Sequence, residues 1–139
     1  MTGARTLRLV LDTPAAEEVL DEVTAVRLEG PEGHRGVLPG HERAVTAVLP
    51  GVLHVRHGAG GAEELFVAVD GGVASIDARE VRVVTGWASV SASLTHLARM
   101  IEHRAHHRAL VDARSRERLE RHEVALRRAL ASLEREVAR

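Results

Sequence analysis

Cysteine and lysine are absent from this chain of 139 residues, and the only aromatic side chains are Phe66 and Trp87. Without cysteine, disulfides and thiolate metal ligands are excluded. Without lysine, a phosphate-binding P-loop is excluded. No Gly-x-Ser-x-Gly nucleophile motif occurs, and no apolar run approaches the ~20 residues that a membrane-spanning helix needs. The lack of cysteine and of a signal peptide predicts a cytoplasmic chain, and none of these motifs indicates catalysis, a cofactor, a thiolate metal site or insertion into the membrane.

Glycine and proline are both absent from the last part of the chain, residues 87–139. All 12 glycines and 4 prolines lie in residues 1–86. Because both residues mark turns and weaken helix interiors, we expect strands and turns before residue 87 and helix after it. The charge divides similarly, with net −5 in residues 1–86 and net +4 in residues 87–139. We therefore predict two domains, residues 1–87 and 88–139, with separate contact surfaces.

Alternating apolar and polar residues predict the strands of the first domain. The alternation is clear in residues 7–11, 45–49, 53–55, 65–69 and 81–83. Turn residues separate these runs, as in residues 29–33 and 70–72. Strands that recur every 8–12 residues with turns between them are typical of a β-sandwich or barrel.

Helical periodicity describes the second domain. Ser91 or Ser93 can cap a first helix, whose apolar side carries Leu94, Leu97, Ala98, Ile101 and Ala105. A narrower stripe follows in residues 114–138, consisting of Leu119, Leu126, Leu130, Leu133 and Val137. Asp112 can cap a second helix, so we predict an antiparallel two-helix hairpin. One continuous helix is the alternative, because no glycine or proline forces a turn.

Two polar patches on these helices leave alternatives open. His96, His103 and His107 share one face, which favours a solvated surface over a pH-sensitive contact or a metal site. Arg121, Arg128 and Arg135 share a face away from the leucine stripe. An acidic protein surface suits these arginines better than nucleic acid, because stacking aromatics are missing and glutamates are interspersed.

A longer motif carries a family resemblance. The stretch Gly33–Gly51 resembles the epsilon subunit of F-type ATP synthases, and the matching positions are Gly33, Gly36, Pro39, Gly40, His41, Thr46 and Gly51. Residues 66–72 and 81–85 resemble two later strands of that family. The likeness covers about residues 6–87, whereas the helical part matches only in length and type. A variant, cation-driven ATP synthase therefore stays open.

The resemblance implies a fold, a location and partners. The fold would be a β-sandwich of about ten strands followed by the two-helix hairpin. The protein would be a non-catalytic rotor subunit of the central stalk, peripheral to the cytoplasmic face of the inner membrane, whose sandwich binds the gamma subunit. The residues implied to contact the membrane c ring and gamma are Glu32, Gly33, His34, Arg35 and His41. The helices would meet acidic segments of the alpha/beta catalytic head through Arg121, Arg128 and Arg135 and inhibit ATP hydrolysis.

Two positions depart from the family pattern. Many relatives have an acid where this chain has His34, and ATP-binding members have Asp and Arg where it has Thr95 and Ala98. We therefore predict no ATP site of that type. Apart from the resemblance, the residues leave two other hypotheses. One is a stand-alone β-sandwich adaptor whose basic helices bind an acidic protein or nucleic acid, and the other is a histidine-based metal or pH sensor.

Overall fold

The computed structural model describes residues 5–137, which form seven strands, one α-helix and a short 3₁₀ helix at Ala59–Gly61. The elements are β1 (Leu7–Asp12), β2 (Glu17–Gly30), β3 (Gly33–Val37), β4 (Ala44–His57), β5 (Glu63–Ile76), β6 (Glu80–Val84), β7 (Ala88–Ser91) and α1 (Leu94–Val137). The chain divides into two compact units, Met1–Arg99 and Met100–Arg139. Late in α1 the backbone is described, but some side chains are not: Arg118, Leu119, His122, Glu123, Leu126, Leu130, Leu133, Glu134, Glu136 and Val137.

All seven strands belong to one hydrogen-bonded sheet that closes on itself. The strand order is β1-β6-β5-β4-β2-β3, and β1 also pairs with β2. The remaining strand, β7, pairs with β5. The β1–β6 pair is parallel, and the other pairs are antiparallel. Closure surrounds the core with five strands, so the N-terminal unit has the sandwich-like strand architecture that the alternation predicted.

The closed sheet is flattened into two layers that face each other across the core. Three strands of 14 residues each run through both layers. The first part of β5 pairs with β7 and its last part pairs with β6. In the same way, β2 pairs first with β1 and then with β3. The prediction of about ten strands is therefore wrong as a strand count. Pro50 and Gly71–Gly72, which look like turns in the sequence, lie inside β4 and β5, where continuous strands cross between layers.

Aliphatic side chains from both layers form the core. Leu9, Val55, Val67 and Val83 are each at most 1% exposed. Neither Phe66 nor Trp87 is fully buried. The core is built from leucine, valine, isoleucine and alanine, as the near absence of aromatic residues predicted.

A tight corner joins the layers where β5 changes partners. Gly72 has a φ of +141°, and a Cβ there would collide with the carbonyl oxygen of Val84. Beside it, the buried Thr85 hydroxyl donates to the Trp87 carbonyl at 3.2 Å. The same hydroxyl accepts the N–H of Asp70, also at 3.2 Å. These bonds fix the link between β6 and β7 against β5.

The helical part differs from the sequence prediction in two ways. Ala88–Ser91, expected in the helical domain, is strand β7, because Ala88 and Val90 pair with Val69 and Val67. The predicted hairpin is instead one helix of 44 residues, because nothing between Ala109 and Asp112 breaks the backbone hydrogen bonds. The predicted serine cap is confirmed, since the Ser93 hydroxyl accepts the N–H of His96 at 3.2 Å.

The faces of α1 are described only in part. Leu97 is fully buried, whereas Leu94, predicted on the same side, is 52% exposed. The predicted leucine stripe falls on side chains outside the described residues. No stretch of helix within residues 5–137 is long and apolar enough to cross a membrane.

Candidate functional site

The segment predicted to contact the membrane ring is the tip of a β-hairpin. β2 and β3 pair antiparallel up to Gly30 and Gly33, which leaves Pro31 and Glu32 as the connecting turn. Gly33 has a φ of +109°, a conformation that non-glycine residues rarely adopt. The turn places the Glu32 carboxylate at an exposed tip.

The strand register places the side chains of His34 and Arg35 on opposite faces of the hairpin. His34 pairs with Glu29, and Arg35 pairs with Leu28. Cross-strand partners share a face of the sheet. Leu28 belongs to the core, so Arg35 points to the inner side of the hairpin and is half-buried, whereas His34 is exposed. The resemblance implied that both residues contact the same partners, but the structure places their side chains on opposite faces of the hairpin.

The start of β4 lies opposite this hairpin and forms a groove with it. An ideal Cβ on Gly30 would lie 3.1 Å from the Ala47 carbonyl oxygen and 3.3 Å from the Thr46 Oγ1. The groove has a volume of about 640 Å³ and is lined by Leu28, Gly30–Gly36 and Val45–Ala47. It therefore brings together four of the five predicted docking residues, Glu32 to Arg35.

The fifth predicted residue, His41, is not among the residues that line the groove. β3 runs from the turn at Gly33 to Val37, so His41 follows the opposite end of that strand. There the Gly40 N–H donates to the Ala78 carbonyl at 2.8 Å, and the His41 ring donates to the Glu42 carbonyl. At ~3.3 Å per residue, β3 separates the two places by more than 10 Å.

The loop that receives Gly40 is held by a carboxylate. Asp77 accepts the N–H groups of Arg79 and Glu80, both at 2.8 Å. These bonds lower the pKa of the Asp77 carboxyl below its usual value, and the charge of Arg43 acts in the same direction. The turn between β5 and β6 is therefore held in place by Asp77, and through the Ala78 carbonyl it supports the loop that contains His41.

An exposed apolar face lies beside the groove. Val73 pairs with Ala47 on one side and with Val84 on the other. Val45, Val73 and Val84 are 74%, 48% and 52% exposed. We call Val45, Ala47, Val73 and Val84 the apolar face. Sequence reasoning missed it, although the consecutive valines 83 and 84 break the alternation and so signal an apolar residue on each side of β6.

The predicted arginines of the second unit are all exposed on α1. Arg121, Arg128 and Arg135 are spaced by seven residues, which keeps them within about 20° per step on one side of a helix. Val124 lies between the first two and is 49% exposed. Glu117 and Glu120 adjoin the same surface, so it is mixed in charge rather than uniformly basic.

The histidine patch is also exposed on α1. His96, His103 and His107 each present an exposed side chain. Among the side chains that the structure describes, no three His, Asp or Glu residues are grouped so that they could hold a metal ion.

Known proteins match the chain along most of its length. A family model described as the β-sandwich domain of the ATP synthase delta/epsilon chain matches residues 6–89. The ATP synthase epsilon chain of Herminiimonas arsenicoxydans is 32% identical over 113 residues, which cover 81% of this chain and 80% of that protein. The ATP synthase epsilon chain 2 of Ralstonia nicotianae is 32% identical over 127 residues, which cover 90% of each.

Solved structures are also similar, as one example shows. A chain in the cryo-EM structure of the Euglena gracilis mitochondrial ATP synthase (OSCP, F1 and c-ring) aligns with a TM-score of 0.55 at 27% identity. The alignment covers 70% of this chain and 62% of that one. Together with the sequence matches, it confirms the resemblance that the Gly33–Gly51 motif indicated.

Proposed function

The chain belongs to the delta/epsilon-chain family of ATP synthases, and on that premise we propose that it is a rotor subunit of the central stalk. In this role it has no active site of its own. It joins the gamma subunit to the c ring at the cytoplasmic side of the membrane, and its helix regulates ATP hydrolysis by the catalytic head.

The observation that carries this proposal is the apolar face. Val73 and Val84 are adjacent on neighbouring strands and about half exposed. A contiguous exposed apolar patch on a folded domain commonly marks a protein interface. We assign the gamma subunit to this face, and the c ring to the hairpin tip at Glu32.

Charge placed on the apolar face tests the assignment. The double variant Val73→Glu and Val84→Glu should weaken binding to gamma about tenfold or more, because two carboxylates would lose water at the interface. Val19→Glu is the matched control, since Val19 is 43% exposed but lies on β2. Titration calorimetry with purified gamma gives the affinities. Equal affinity of the double variant and wild type would remove this face from the interface.

The arginine side of α1 supports the regulatory part of the proposal. Exposed guanidinium groups at Arg121, Arg128 and Arg135 suit carboxylates on a partner. Replacing all three with alanine should raise the ATP hydrolysis rate of the assembled enzyme, and the difference from wild type should shrink as salt increases. Arg116→Ala is the control, because that exposed arginine lies on another side of the helix. An unchanged rate for the triple variant would exclude these arginines from regulation.

The hairpin implied by the resemblance enters the proposal as a second conformation. Ala109–Asp112 is helical here, yet Asp112 is a residue type that caps helices well. We propose that a partner selects between the continuous helix and a bent one. Faster amide exchange at residues 109–112 in the assembled enzyme than in the free chain supports this, and equal exchange contradicts it.

A further inference from the structure

Three arginines without ion pairs lie at one end of the first unit. Among the arginines of residues 5–86, Arg8, Arg56 and Arg82 form ion pairs with carboxylates. The described residues offer no ion pair or side-chain hydrogen bond to the others, which are Arg5, Arg27, Arg35, Arg43 and Arg79. We call Arg5, Arg43 and Arg79, which are all exposed, the arginine cluster.

Arg5 lies beside the loop between β3 and β4. Its Nη1 is 3.8 Å from the position of a Cβ on Gly40. The Gly40 N–H donates to the Ala78 carbonyl at 2.8 Å, so Arg5 is also close to the turn between β5 and β6. The backbone that follows Arg5 is held at the same turn, because the Arg8 N–H donates to the Arg79 carbonyl at 2.8 Å.

Arg43 and Arg79 lie near the Asp77 carboxylate without forming an ion pair with it. Asp77 Oδ1 accepts the backbone N–H groups of Arg79 and Glu80. These bonds lower the pKa of Asp77, and the charges of Arg43 and Arg79 lower it further, so both guanidinium groups are nearby. Like charges near one another raise the free energy of the free protein, and one carboxylate offsets only part of that cost. Carboxylates of a partner would offset the rest, because the guanidinium group matches their geometry.

The arginine cluster adjoins the apolar face. Val45, which is 74% exposed, pairs with Ser75. Two residues earlier, the same register places Arg43 opposite Asp77, in agreement with the effect of its charge on that carboxyl. Residues two apart in a strand share a face, so Arg43 extends the row of Val45 and Ala47. Protein interfaces commonly have an apolar centre and a polar rim, and arginine is enriched in them.

We propose that the arginine cluster is the charged rim of the gamma interface, where it faces carboxylates of the gamma subunit and orients the two subunits as they associate. The inference rests on the proposed function, because gamma is the partner assigned to the apolar face. Continuity with that face favours gamma over the c ring, which is assigned to the hairpin tip at the opposite end of β3. Charges at the rim of an interface act mainly on the association rate and on its dependence on salt.

Association kinetics with purified gamma test this role. At low salt, Arg43→Glu should lower the association rate constant about threefold or more, and the double variant Arg43→Glu and Arg79→Glu about tenfold or more. The differences should disappear at high salt, because exposed charges are then screened. Arg43→Lys keeps the charge and should retain most of the rate. The matched control Arg27→Glu reverses an arginine that is also exposed and unpaired among the described residues, but it lies on β2 and should associate like wild type.

The inference and the proposed function fail in different ways. Wild-type association kinetics of the double variant would overturn the inference and leave the proposed function standing, and so would an equal loss of rate in Arg27→Glu. Loss of binding to phosphatidylglycerol vesicles without a change toward gamma would also overturn it, because the cluster would then face the membrane. Failure of the wild-type chain to bind gamma would reject the proposed function itself. Urea denaturation checks folding, and if Arg43→Glu unfolds, Arg5→Glu and Arg79→Glu each test the same charge effect.

Discussion

At the residue scale, Gly72 is the glycine whose replacement by a larger residue the structure tolerates least. Its φ of +141° and the nearby Val84 carbonyl leave no space for a side chain. Gly72→Ala should lower the free energy of unfolding by roughly 2–4 kcal/mol, because the strand must shift away from its bend. Urea denaturation measures the loss. Gly36→Ala is the control, because no atom lies within 4 Å of its Cβ position. A similar loss in both variants would mean that the collision is not the cause.

Asp77 makes stability depend on pH. Its folded-state pKa is lowered by the N–H groups of Arg79 and Glu80. Its stabilising effect is therefore fully present above the unfolded pKa of about 3.9 and is lost as the pH falls through the lower folded value. Asp77→Asn should reduce the urea midpoint at pH 7 and change it less at pH 3. Glu42→Gln, an exposed change in the neighbouring loop, should retain the wild-type profile. A wild-type profile for Asp77→Asn would contradict this role.

The same scale shows what the sequence could not predict about the site. The resemblance pointed to Glu32–Arg35 as a group, but it could not separate an exposed His34 from a half-buried Arg35. That difference follows from the pairing of Arg35 with Leu28, and the segment looked like a loop rather than a strand. His41 looked close to the others in sequence, yet β3 carries it to the other end of the hairpin.

At the scale of elements, the N-terminal cap of α1 depends on a single hydroxyl group. The Ser93 Oγ accepts the N–H of His96, an amide that has no partner within the helix. Ser93→Ala should cost about 1 kcal/mol of helix stability. Faster exchange of the His96 amide and a lower thermal midpoint would show the loss. Ser115→Ala, in the helix interior, should have little effect. Unchanged exchange at His96 would contradict the capping role.

Strands in which apolar and polar residues alternate clearly could be predicted from the sequence, whereas strands without that alternation could not. β1, β5 and β6 follow the alternation of leucine and valine. β3 was missed because Gly-His-Arg-Gly-Val has a single apolar residue, and its strand conformation depends on pairing with β2. The sequence analysis favoured a hairpin over a continuous α1, because Asp112 is a residue type that commonly caps helices.

At the scale of the whole molecule, two truncations separate the units. A chain ending at Arg99 retains the complete first unit, including β7 and the buried Leu97, and should unfold cooperatively. A chain ending at Trp87 lacks β7, which leaves one side of residues 66–69 unpaired, and should have a lower urea midpoint. Equal midpoints for the two truncations would show that β7 does not stabilise the unit.

The parallel pair β1–β6 affects the order in which the polypeptide folds. It joins Arg8 to Glu80, so this pair can form only after most of the sandwich has been translated, whereas β1 can pair with the adjacent β2 earlier. β4 and β5, linked by a short turn, can pair as soon as both have left the ribosome. Contacts between residues distant in sequence form slowly, because long loops must close first. Amides of β4 and β5 should therefore gain protection before the amides that bond across the β1–β6 pair in pulse-labelled refolding.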